Sequence, residues 1–222
     1  MDTSGDGLAN VILYLVVLVL FGQVAVRMLR TPFTNRRFPI VAVVATLAIG
    51  IPSLLQFAVP SLGAALRRAP DLTLHDGQWW RVLTSIAAQD GGLVAAIFNL
   101  VVVAVVVTIG EWTWGRWRTI VLFLLPSIVL NLAAIAWNSP GGGSSFASDG
   151  LLMSVCGLAI LRSASAVARA CALAAALVGL VLVILNDAHG VAMLLGAALG
   201  VLFGLASRFR SRRQPEDTQG PA

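Results

Sequence analysis

Long apolar runs alternate with short polar segments along the chain. The runs at residues 8–26, 40–59, 93–109, 120–137, 150–161, 166–185 and 190–206 are almost free of charge. A helix needs about 20 mostly apolar residues to cross a bilayer, so the pattern predicts seven membrane segments. The fifth run, at 150–161, is too short to reach from surface to surface. It is expected to be a central helix walled by protein and entered by a loop that dips into the membrane. Residues 138–147, with Pro140, Gly141, Gly142 and Gly143, supply that loop. Irregular backbone at such depth must be buried in protein or line a wet cavity. The first run follows acidic residues, Asp2 and Asp6, and is longer than a signal-peptide core, so it is expected to be a retained membrane helix.

Composition agrees. The chain is 58% hydrophobic and 11% charged, against about a quarter charged in soluble domains, which excludes a large soluble core. The net charge of +5 does not form a nucleic-acid patch, because the basic residues sit at the ends of apolar runs. Arg27, Arg30, Arg36 and Arg37 lie between runs one and two, Arg116 and Arg118 between three and four, and Arg162 and Arg169 between five and six. Arg208, Arg210, Arg212 and Arg213 follow run seven. The positive-inside rule makes these four places cytoplasmic. The N-terminus, residues 60–92, the glycine loop and the turn at Asn186 then face outward. Arg67, Arg68 and Arg81 oppose the rule from the 60–92 loop, where Asp71, Asp76 and Asp90 offset them. The segment after Arg213 is polar, contains proline and is expected to be disordered. Cys156 and Cys171 lie in apolar surroundings and read as packing residues, and no group of His, Cys, Asp and Glu has metal-ligand spacing.

Two polar residues remain at the outer ends of apolar runs: Ser148 before run five and His189 before run seven. The charge pattern gives them the same depth. Run seven carries Ala192, Gly196, Gly200 and Gly204 at intervals of four, and run five carries Gly150, Ser154 and Gly157. Such small-residue seams let membrane helices approach closely. Seam pressed on seam would bring hydroxyl and imidazole together, and a serine becomes a nucleophile when a neighbouring base takes its proton. Ser148 can equally be an N-cap. Ser145 is the rival nucleophile, ranked lower because Ser148 is nearer the apolar run. Asp187 can cap the last helix or orient His189. Asn131 and Gln56 read as interhelical hydrogen-bonding groups, Trp112, Trp114 and Trp117 as an interfacial belt, and Glu111 as an ion-pair partner for a nearby arginine.

Several segments together resemble the rhomboid family of intramembrane serine proteases. Gly77-Gln78-Trp79-Trp80-Arg81-Val82-Leu83-Thr84-Ser85 is similar to the first external loop of that family, G-Q-x-W-R-x-x-T. Phe98-Asn99-Leu100 resembles its second core helix, and Gly110-Glu111 with Gly115-Arg116 that helix's cytoplasmic end. Ala147-Ser148 falls at the G-x-S-G motif. His189 with Gly196 and Gly200 resembles the histidine helix. The resemblance covers residues 40–207 and implies an all-α rhomboid-like six-helix core. Residues 1–39 would add an extra transmembrane helix with a basic cytoplasmic loop, and 208–222 a basic cytoplasmic tail, in a multi-pass protein of the bacterial plasma membrane. It further implies a Ser148–His189 dyad that cleaves transmembrane segments of other membrane proteins, with Asn99 stabilising the oxyanion, no metal or cofactor, and no nucleic-acid partner. Three positions depart from the family pattern: Ala95 stands where a second oxyanion donor is usual, and Phe146 and Asp149 replace the glycines flanking the serine. These substitutions support the alternative, a catalytically inactive relative that binds transmembrane helices.

Overall fold

The computed structural model describes residues 8–29 and 36–212, and over these the chain is all-helical, without strands. The helices are α1 (Leu8–Met28), α2 (Ile40–Leu55), α3 (Pro60–Leu66), α4 (Pro70–Leu74), α5 (Arg81–Thr84), α6 (Gly92–Trp114), α7 (Arg116–Ala136), α8 (Ser145–Arg162), α9 (Ala166–Ile184) and α10 (Ala188–Arg212). Six of them, α1 and α6 to α10, are long and apolar enough to cross a membrane. The chain is a multi-pass helical membrane protein. Arg30, Arg213 and the expected disordered tail lie outside the described residues.

Two of the expected segments change. The second run ends as a helix at Leu55 instead of Val59, giving 16 residues with Pro52 inside. It stops where Gln56 turns back to donate to the carbonyl of Ser53 at 2.9 Å. The fifth run is not short. Helix α8 begins at Ser145, five residues before the apolar run, and extends over 18 residues. Its first turn, Ser145–Asp149, mixes three polar residues with Phe146 and Ala147, which an apolar pattern cannot reveal. The expectation that α8 is central holds: an unbroken block from Gly150 to Ala159 is buried, and α8 packs against α1, α6, α7, α9 and α10.

The expected seam forms between α8 and α10. Gly196 lies against the backbone of Gly150, and Gly200 against that of Ser154, so the two helices run parallel. A Cβ on Gly196 would stand 2.1 Å from the Gly150 carbonyl oxygen, and one on Gly200 would stand 2.0 Å from that of Ser154.

The basic ends collect at one end of the bundle. Trp112 donates its indole N–H to the Arg37 carbonyl at 3.0 Å, while Arg36 lies over its ring. Arg162 donates to the carbonyl of Gly204 and the hydroxyl of Ser207. The tryptophans are not a uniform belt. Trp117 is exposed, but Trp114 turns inward, donates to Ser154 Oγ at 3.1 Å and meets Phe203 edge-on. Glu111 is buried here and does more than pair with Arg116 at 3.3 Å. Its other oxygen accepts the N–H groups of Val41 and Ala42 at 2.8 and 3.3 Å, at the start of α2, where Pro39 offers no side-chain cap. Glu111→Ala would strand those donors and is expected to cost about 1–3 kcal/mol. Glu111→Gln, which keeps an acceptor, should lose less, as read by melting in detergent.

At the opposite end, α3 to α5 form a folded cap. The arginines that oppose the positive-inside rule are structural. Arg81 donates to the carbonyls of Ala64 and Arg67, both at 2.8 Å, and to Gln78 Oε1. Arg68 donates to the Ser139 carbonyl and to Asn131, and Arg67 pairs with Asp90 at 3.3 Å. Guanidinium groups consumed in tying loop carbonyls together carry little topological signal. Asn131 and Gln56 also bind this cap, through the Val82 carbonyl and the Gln89 N–H respectively, instead of bridging membrane helices.

Candidate active site

The glycine loop delivers the start of α8 to the cap. Gly142 packs so tightly that a Cβ there would stand 2.5 Å from the Ala88 Cβ and 3.0 Å from the Ser85 carbonyl oxygen. Its N–H donates to Asp90, the N–H of Gly143 donates to the Ser85 carbonyl, and Arg68 and Gly141 exchange backbone hydrogen bonds. These contacts set where the first turn of α8 begins.

His189, in the first turn of α10, meets Ser145 and not Ser148. Its Nε2 lies 2.9 Å from Ser145 Oγ. Ser148 Oγ is buried and makes no hydrogen bond among the described residues; the same holds for Ser144 Oγ. The expectation of a Ser148–His189 pair is corrected by the early start of α8. With the helix beginning at Ser145, that hydroxyl occupies the first turn beside His189. Ser148, three residues on, turns into the protein. Ser145 is also only half-buried, so another molecule can reach it.

The other face of the imidazole is held. Nδ1 lies 2.7 Å from Asp187 Oδ1, and the same oxygen accepts the His189 backbone N–H at 2.9 Å. Asp187 thus both caps α10 and orients the ring. Its second oxygen accepts from the Tyr14 hydroxyl and from the Asn10 amide at 2.9 Å. The Tyr14 hydroxyl also lies 3.0 Å from His189 Nδ1. The imidazole sits between the Tyr14 ring, edge-on at 5.2 Å, and the Phe146 ring, tilted at 4.8 Å. Phe146 therefore packs the histidine, which is 8% exposed.

Asp187 is 1% exposed. Burial pushes its carboxyl upward, but the hydrogen bonds and charge of His189, with the Tyr14 hydroxyl and the His189 N–H, outweigh it. The net effect is below the ordinary carboxylate value. Asp187 is thus ionised at neutral pH. The stability it contributes is full above the unfolded carboxyl value of about 3.9 and fades as the pH falls through its lower folded value. Asp149, half-buried, is within electrostatic reach of His189 and Asp187.

Asn99 donates to Gln89 Oε1 at 2.9 Å. Gln89 in turn binds Ser53 Oγ and, through its N–H, Gln56. This chain anchors Asn99 to the cap segment on which Gly142 rests. Among the described residues no cluster of His, Cys, Asp and Glu forms a metal site, and both cysteines are free thiols.

The arrangement has the parts of a nucleophile: a hydroxyl within reach of an imidazole whose other nitrogen faces a carboxylate. Apolar patterning missed Tyr14 and Asn10. Their signal is present all the same: two polar residues four apart, on one face near the N-terminal end of the first apolar run, one of them the single tyrosine of the chain. No protein-family model matches the chain, and no curated protein matches it.

Proposed function

We propose that the protein is an intramembrane serine endopeptidase of rhomboid type, with Ser145 as nucleophile and His189 as base. The observation that carries this reading is the 2.9 Å contact between Ser145 Oγ and His189 Nε2, at the end of the bundle opposite the basic loops. By the positive-inside rule that end faces out of the cytoplasm. Substrates would be membrane proteins whose transmembrane segments unwind near the outer lipid surface.

Ser145 Oγ attacks the scissile carbonyl carbon as its proton passes to His189 Nε2. The resulting oxyanion faces the first turn of α8, whose N–H groups have no helical carbonyl to bond and whose dipole favours negative charge. The Ser145 N–H is the first donor. The rhomboid resemblance assigns a second donor to Asn99, whose amide keeps one hydrogen beyond its bond to Gln89. Collapse breaks the C–N bond, and the imidazolium protonates the leaving amine. Water then attacks the acyl-serine, giving its proton to His189. The ester bond breaks, Ser145 regains its proton, and the new carboxyl end leaves. Asp187 stays ionised beside the imidazolium throughout.

The test is cleavage of a single-span model substrate by the purified protein in lipid. Wild type should cut, and His189→Ala should reduce the rate to background. A wild-type protein that binds such helices without cutting them would instead be the inactive relative.

A further inference from the structure

The bond from α1 to Asp187 has no place in a two-residue mechanism. Helix α1 packs along α9 and touches α8, and it sends two polar side chains out of a mostly apolar run to one carboxylate oxygen. Tyr14 and Asn10 both donate to Asp187 Oδ2, which leaves Oδ1 for the ring and backbone N–H of His189. The two oxygens are divided between the first and last helices, some 175 residues apart in sequence.

We infer that α1 is part of the catalytic machinery: Tyr14 and Asn10 position Asp187 so that His189 keeps its neutral-state proton on Nδ1 and presents a bare Nε2 to Ser145. This rests on the protease reading for its consequence in rate, though not for its geometry. A neutral imidazole has one donor and one acceptor nitrogen, and the partner of one decides the role of the other. A carboxylate at Nδ1 can only accept, so the proton stays there. An amide in its place can donate, which lets the proton move to Nε2, where it blocks acceptance from serine. Tyr14 and Asn10 touch neither Ser145 nor the reacting carbonyl. They are positioning residues: both hold the Asp187 carboxylate against rotation, and Tyr14, its one proton given to Asp187, can also accept from the ring at Nδ1, 3.0 Å away. Asp149, also within electrostatic reach of the ring, lies on α8 and is untouched by these substitutions.

The chain has two histidines, so His75→Gln leaves His189 as the single imidazole for nitrogen-15 NMR of the full chain in micelles. In that background the neutral ring is expected with its proton on Nδ1. Asp187→Asn should move most of the population to Nε2–H, and Tyr14→Phe should give a mixture. Fluorophosphonate labelling of Ser145 should slow by on the order of 10³–10⁴-fold with Asp187→Asn. Tyr14→Phe, which loses one hydrogen bond to a charged group, should slow it about tenfold or more. If Tyr14→Phe misfolds, Asn10→Ala gives the same readout with a smaller shift. An unchanged Nδ1–H ring in the α1 variants overturns the inference, even if Ser145 labels normally. A ring that shifts as expected in a protein that never labels upholds the positioning and rejects the protease.

Discussion

Ser145→Ala is expected to abolish covalent labelling of the purified protein by a fluorophosphonate, while Ser148→Ala leaves the labelling rate within about twofold of wild type. Removing the nucleophile alone from a serine protease lowers its rate by about 10⁶-fold, so the first variant should be at background. The contrast follows from position. The Ser145 hydroxyl is half-buried and 2.9 Å from the imidazole, whereas Ser148 Oγ is buried with no hydrogen bond among the described residues. A buried hydroxyl without a partner is a liability in the folded state, so Ser148→Ala should fold at least as well as wild type. Rapid labelling of Ser145→Ala, lost on further replacement of Ser148, would return the nucleophile to Ser148.

That choice between two serines marks the limit of what the sequence makes legible. Apolar runs announce membrane helices because lipid imposes one rule on every exposed position, and the seam on α10 announces itself by its interval of four. The start of α8 obeys neither. Its first turn carries Ser145, Ser148 and Asp149 and packs beside α10, so neither length nor hydropathy marks it. Moving the helix start from Gly150 to Ser145 changes which hydroxyl faces the imidazole, because residues three apart on a helix are rotated by about 60°. Phe146 and Asp187 were visible, but their roles depend on what lies opposite. Phe146 reads as a departure from a glycine motif until His189 is seen against it. Asp187 reads as a cap or as a group orienting His189, but its other partners, Tyr14 and Asn10, arrive from the far end of the chain.

The seam itself gives the second large effect. Gly200→Ala is expected to destabilise the protein toward the upper end of the roughly 1–3 kcal/mol typical of overpacking, and Gly196→Ala similarly. In each case the new methyl would meet a carbonyl of the α8 backbone, at 2.0 and 2.1 Å, and backbone cannot swing aside as a side-chain end can. The helices must separate or rotate. Gly22→Ala is the control. It lies in α1 with nothing within 4 Å of its added Cβ, so exchanging glycine for alanine in mid-helix should be neutral or stabilising by about 0.5–1 kcal/mol. The two seam variants should also differ from each other. Gly196 opposes Gly150, little more than one turn below Ser145, so separation there widens the gap between hydroxyl and imidazole directly. Gly200 opposes Ser154, a turn further down, where parting the helices tilts α10 and leaves its first turn nearer Asp187 and α1. Labelling of Ser145 by a fluorophosphonate should therefore fall further for Gly196→Ala than for Gly200→Ala at comparable melting temperatures. Equal melting of all three glycine variants would mean that α8 and α10 do not lie in backbone contact, and the Ser145–His189 pairing built on that contact would fall with it.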